Sequence, residues 1–116
     1  MTNEIEIFQG DSYDAEVTVL DKDGAVVSIS GAAIVFTVMV DINSATFVIQ
    51  RKNTAAGGNS TEIEDSDLGN GKFKLHLTPT ETEITVQDYI YDFQVTIASK
   101  VYTIIKDIFS IIYDVT

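Results

Sequence analysis

Tyr89-Ile90-Tyr91-Asp92-Phe93-Gln94-Val95-Thr96-Ile97 is the longest clean alternation in the chain. A period of two places Tyr89, Tyr91, Phe93, Val95 and Ile97 on one face and Ile90, Asp92, Gln94 and Thr96 on the other, which is the pattern of a half-buried β-strand. Downstream, a turn at Ser99-Lys100 returns the chain through residues 101–105, and Lys106-Asp107 leads to a last strand over residues 108–113.

Upstream, Thr78-Pro79-Thr80-Glu81 is the one helix start. Thr78 can cap, Pro79 suits the first helical position, and Glu81 completes a capping box, with at most two turns following near residues 79–84. Before it, Phe73, Leu75 and Leu77 alternate with Lys72, Lys74 and His76 as another half-buried strand, residues 65–71 read as a turn, and Ile63 sits in a short strand.

The first half repeats the theme. Tyr13, Ala15, Val17 and Val19 face away from Asp14, Glu16 and Thr18. Asp21-Lys22-Asp23-Gly24 then makes a turn, since aspartate bonds nearby backbone and glycine accepts positive φ. Residues 26–29 are expected to run back as a short strand. After Ser30-Gly31, both Ile34, Phe36, Val38 and Val40 and the intervening Val35, Thr37 and Met39 are apolar enough for a central, covered strand, a pattern that Phe47, Ile49 and Arg51 continue.

Seven or eight short strands with frequent turns and a single helical turn predict an all-β, two-sheet sandwich, with a small barrel as the alternative. The length of 116 residues fits one domain over residues 1–116. Ala55-Ala56-Gly57-Gly58-Asn59-Ser60 is a flexible loop with no sign of a domain boundary. With so short an end, Tyr113-Asp114-Val115-Thr116, no second domain is expected. The start, Met1-Thr2-Asn3-Glu4, shows no secretory pattern, and no apolar run reaches membrane-spanning length, so a soluble protein is expected.

Eighteen acidic against seven basic residues give a net charge of −11. That balance serves solubility, repels nucleic acid and anionic membranes, and favours basic partners. With no cysteine, disulfides and thiolate metal sites are excluded and hydrophobic burial must hold the fold.

Chemistry has little to work with. The one histidine, His76, lies on the outward side of its strand and reads as solvated. Without cysteine or a second histidine, nucleophilic triads are absent, and phosphate-cradling glycine motifs are missing. Asp21-Lys22-Asp23-Gly24 copies the opening of a calcium loop but lacks its third acidic position and closing glutamate, so a hairpin turn is the simpler reading. Asp65-Ser66-Asp67 is treated in the same way, and Asn59-Ser60-Thr61 would accept a glycan only in a glycosylating compartment. No catalytic, cofactor-binding or metal site is expected, and no enzymatic activity. Tyr102 and Tyr113 fall off the apolar phase and are candidate exposed aromatics. Tyr89 stands where a tyrosine corner would place its ring, or is a plain core tyrosine.

Phe8-Gln9-Gly10-Asp11-Ser12-Tyr13, Val19-Leu20-Asp21-Lys22-Asp23-Gly24, Ser30-Gly31-Ala32, Thr78 to Thr82, Tyr89-Ile90-Tyr91-Asp92-Phe93-Gln94-Val95 and Tyr102-Thr103-Ile104 through Asp114-Val115-Thr116, in this order and over nearly the whole chain, resemble the immunoglobulin-like virion domains of tailed bacteriophages, among them the N-terminal domain of baseplate upper proteins. The family often has a glycine shortly before the Tyr-x-Tyr strand and another before the last strand, where Gln87-Asp88 and Asp107 stand here. The resemblance implies an immunoglobulin-like sandwich and a non-enzymatic structural component of the phage particle, on the tail, baseplate or capsid exterior. Its partners would be other virion proteins, through self-association or symmetric assembly. A host-surface glycan-binding module, using residues 55–60, Tyr102 or Tyr113, is the first alternative, and a calcium-stabilised adhesin-type sandwich the second.

Overall fold

The computed structural model describes residues 4–41, 43, 46–53 and 62–113. They form two sheets packed as a sandwich. The strands are β1 (Ile5–Phe8), β2 (Tyr13–Thr18), β3 (Ala33–Met39), β4 (Ile49–Lys52), β5 (Ile63–Asp67), β6 (Lys72–Leu77), β7 (Gln87–Ile97) and β8 (Lys100–Ile112), with one short helix, α1 (Pro79–Thr82), and a 3-10 turn at Leu68–Asn70. One sheet has the order β1-β8-β7-β3-β4 and the other β2-β6-β5.

That order is immunoglobulin-like. Strands β2, β6 and β5 take the B, E and D places, β3, β7 and β8 take C, F and G, β4 extends the second sheet as C′, and β1 runs parallel to β8 along its far edge. The A place, beside β2, is empty among the described residues.

The core lies where the alternation puts it. Ile34, Phe36 and Val38 of β3, Phe73, Leu75 and Leu77 of β6, and Tyr89, Tyr91, Phe93 and Val95 of β7 are buried. Phe36 is central: its ring centroid lies 4.8 Å from Phe93, 5.6 Å from Tyr91 and 6.1 Å from Phe109, while Phe73 reaches Phe93 from the opposite sheet at 5.4 Å. Such tilted and edge-on pairs add to the stabilisation from burial alone.

Local chemistry sets the corners. Asp21 Oδ1 accepts the N–H groups of Asp23 and Ala25 at 2.8 and 2.9 Å, and Gly24 takes φ +82°. Glu81 Oε1 accepts the Thr78 N–H at 3.2 Å within a capping box that starts α1. Tyr89 is a tyrosine corner: buried at the start of β7, it donates its hydroxyl to the Thr85 carbonyl at 2.6 Å. Tyr89→Phe is therefore expected to cost about 0.5–1.5 kcal/mol, the net value of one such bond, in urea unfolding. An unchanged midpoint would show that the ring alone holds the corner.

Five expectations need correction. Residues 26–29 form one bridge, Leu20 to Val26, and no strand, because the Val27 N–H bonds Val19 while the Ile29 N–H bonds Leu68, so no single partner ladder continues. Residues 65–67 belong to β5, whose pairing with β6 slips between Glu64 and Asp67, and the turn begins only at Leu68. The expected break at Lys106-Asp107 is absent. Strand β8 runs through it, and the irregularity sits opposite Phe93 and Gln94, which pair with Ile105 and Thr103 and leave Ile104 as the extra residue. That insertion keeps Ile105, Phe109 and Ile111 in phase with the core and puts Lys106 opposite Asp92. The hairpin before it turns at Ala98 and Ser99, both at positive φ, one residue earlier than expected. Phe47 lies outside β4 and is exposed.

Candidate functional site

A concave surface follows from the A place, which is empty among the described residues. With no described residue paired to the outer edge of β2, the described sandwich is open along one side, between β2 and the part of β8 that β1 does not cover. A groove of about 700 Å³ lies at the loop end of this opening, lined chiefly by Val19, Leu20, Val27, Ile97, Tyr102 and Ile104. A second hollow of about 270 Å³ carries it toward Glu4 and Ile5, past Tyr13, Ala15, Val17 and Ile105.

Strand periodicity decides what the opening exposes. Tyr13, Ala15 and Val17 point inward from β2 yet are only half-buried, whereas the matching Phe73, Leu75 and Leu77 of the neighbouring β6 are at most 2% exposed. Burial raises the Tyr13 phenol, and Tyr91 behind it is pushed up to about 12 by burial, aided by the charge of Asp107. Both hydroxyls stay neutral at physiological pH.

On the other face of the three-stranded sheet, charges form rows. Asp14 of β2 stands opposite His76 of β6, and Glu16 opposite Lys74, which on its far side faces Glu64 of β5. His76 is less solvated than its outward phase implies. Its Nδ1 lies 2.6 Å from Asp14 Oδ1 and its Nε2 3.1 Å from Glu64 Oε1, so the ring ties all three strands together. The Asp14 hydrogen bond raises its pKa above 6.5; burial opposes this and Glu64 adds to it.

A histidine raised in the folded state contributes stability that is fully present below its unfolded value of about 6.5 and is lost as pH rises through the folded value. The stability gap between the protein and His76→Gln is thus expected to be below about 1 kcal/mol, because Asp14 and Glu64 are well exposed to solvent. It should be largest near pH 6 and fade toward pH 9 in denaturation curves. With one histidine in the chain, its NMR titration is unambiguous, and a midpoint at or below 6.5 would contradict the clamp.

The remaining residues singled out by sequence are scattered. Asp21 engages the backbone of its own turn, and Asp67 accepts from Asn70 Nδ2 at 2.8 Å. Among the described residues no group of three or more His, Cys, Asp or Glu side chains is placed to hold a metal ion. Tyr102 is 51% exposed and forms part of the groove wall, while Tyr113 is 72% exposed and lies outside it. Residues 55–60 and Asn59-Ser60-Thr61 lie outside the described residues.

Three buried polar residues are structural ties that pattern alone does not announce. Arg51 points inward with Ile49 and pairs with Glu81 of α1 and, at 3.6 Å, with Glu62. Burial pushes the Glu81 carboxyl up, but its bonds to Thr78 and the Arg51 charge outweigh this and leave it below the ordinary carboxylate value. Asn53 mimics a strand residue, accepting the Ile34 N–H and donating to the Ala32 carbonyl, both at 2.9 Å. Thr82 donates to the Asp11 carbonyl at 2.6 Å and anchors α1 to the start of β2. A lone inward arginine or asparagine in strand phase was the available signal. No protein-family model matches the chain, and no curated protein matches it.

Proposed function

We propose that this chain is a non-enzymatic structural component of a phage virion, a rigid docking unit present in repeated copies on the tail, baseplate or capsid exterior. The observation that carries the reading is the open side of the sandwich, where a strand edge unpaired among the described residues runs at its Thr18 end into an apolar groove. A stiff two-sheet body with one open edge is suited to holding a neighbour by assembly rather than by enclosing a small substrate.

The residues that carry the phage resemblance occupy corners of this frame. Gly10-Asp11 precedes β2, Gly31-Ala32 leads into β3, Thr78 to Thr82 form α1 with its cap, and Tyr89 to Asp92 lie in the first half of β7. The net charge of −11 favours partners with basic surfaces. Mass spectrometry of purified particles from a phage encoding the chain, with electron microscopy of labelled particles, tests the proposal. Many copies per particle at symmetric positions are expected, and absence from washed particles would overturn it.

The glycan-binding alternative draws on Tyr102, exposed at the rim of the groove. Saturable binding of host cell-wall polysaccharide that disappears in Tyr102→Ala would favour that reading over the purely structural one. The calcium reading has less support, since Asp21 Oδ1 already accepts two backbone N–H groups.

A further inference from the structure

We infer that the free edge of β2 is a strand-docking site, and that its occupant is an extended segment of another protein with apolar residues at every second position and lysine or arginine between them. The inference deepens the docking role proposed above and rests on it only for the source of the segment.

Free strand edges invite pairing, and folded proteins blunt them with shortness, bulges, proline or charged side chains, lysine above all. Every other edge among the described residues is blunted. Strands β1 and β4 have four residues each, β5 is irregular between Glu64 and Asp67, and the stretch of β8 beyond the reach of β1 carries the bulge at Ile104 together with Lys100 and Lys106. Strand β2 differs. Its six residues pair with β6 in unbroken register from Tyr13 to Thr18, without proline or bulge, so among the described residues its other edge presents a regular row of backbone donors and acceptors, guarded only by the acids Asp14 and Glu16, which select against acidic partners.

The side chains beside that edge define the complement. On the inner face, Tyr13, Ala15 and Val17 are half-buried beside a hollow that Leu75, Phe93 and Ile105 also line, together with Glu4, and a strand in the A place would set its own inward residues over these apolar side chains. On the outer face, charge alternates from strand to strand. The acids of β2 meet the bases of β6, and Lys74 and His76 each have an acid on both sides. Asp14 and Glu16 have a base on one side only, and the A-place strand would stand on the other. Opposite charges on directly paired residues stabilise a sheet, so the matching outward residues are basic. A second copy of this chain is disfavoured, because in-phase antiparallel pairing of two β2 edges sets Asp14 and Glu16 against acids of the copy.

The test titrates the full chain with a seven-residue capped peptide of alternating lysine and valine at low salt. Two controls are a peptide with glutamate in place of lysine and one of the same composition with the lysines and valines in separate blocks. Saturable one-to-one binding is expected, with hydrogen-exchange protection appearing at amides of β2, and with affinity about tenfold or more weaker for both controls. In Glu16→Lys, checked for an unchanged circular dichroism spectrum, the preference should shift toward the glutamate peptide. Equal binding of all three peptides, protection confined to β8, or a dimer in sedimentation whose β2 amides are already protected would each overturn the inference. None of these outcomes bears on whether the chain is a virion component, which the particle measurements decide separately.

Discussion

Phe36→Ala is expected to lower the unfolding free energy by about 3–5 kcal/mol, and Phe93→Ala by a similar amount, while Glu16→Ala stays within about 0.5 kcal/mol of the parent. Phe36 is fully buried on β3, an inner strand of the five-stranded sheet, and packs on Tyr91, Phe93 and Phe109. Truncation therefore removes both the transfer free energy of a ring and the contacts of the rings left around the cavity. A domain of this size holds only about 5–15 kcal/mol in total, so either alanine variant should come close to unfolding at physiological temperature. Glu16 lies exposed on the outer face of β2, where its pairing with Lys74 is screened by water. Urea unfolding of the three variants checks the result, and equal small losses at all three sites would mean that the strand phase has been assigned wrongly.

Much of that phase is legible in the residues themselves. The inward faces of β2, β3, β6 and β7 follow from alternation, and α1 follows from Thr78, Pro79 and Glu81, because side-chain direction and capping are local properties. What escapes is non-local. Strand β1 has only four residues, and its parallel pairing with β8 joins positions more than a hundred residues apart, so no short window contains it. The bulge at Ile104 looks in sequence like a break two residues later, since an inserted residue and a turn both interrupt alternation. The same limit applies to the candidate site. Alternation marks Tyr13, Ala15 and Val17 as a core face and Tyr102 as off phase, but whether another strand lies beside β2 depends on the topology of the whole chain. His76 illustrates the point within one sheet: its outward direction is readable, while the carboxylates that close on it come from residues 62 positions earlier and 12 positions earlier.

Gly71→Ala is the second substitution expected to act strongly, with a loss of about 2–4 kcal/mol. Gly71 ends the 3-10 turn at φ +72°, which costs a residue with a Cβ about 1–2 kcal/mol on its own. A Cβ there would also lie 2.5 Å from the Val27 carbonyl oxygen and 3.0 Å from that of Val19. Both are backbone atoms and cannot rotate aside. Relief requires the segment after β2 to move away from the turn before β6, which weakens the bonds from the Val19 N–H to the Gly71 carbonyl and from the Val27 N–H to the Val19 carbonyl, at 2.8 and 3.1 Å. Gly24→Ala separates the two causes, because Gly24 has φ +82° but no atom within 4 Å of an added Cβ. It should lose only the conformational part. Equal losses at both glycines in urea unfolding would show that the close approach at Gly71 contributes nothing. Val19 and Val27 also line the groove, so the displaced loop in Gly71→Ala should reshape its loop end while leaving the paired edge of β2 in place. The lysine–valine peptide is accordingly expected to keep most of its affinity for a folded Gly71→Ala protein, because its docking depends on the edge from Tyr13 to Thr18 and on Asp14 and Glu16.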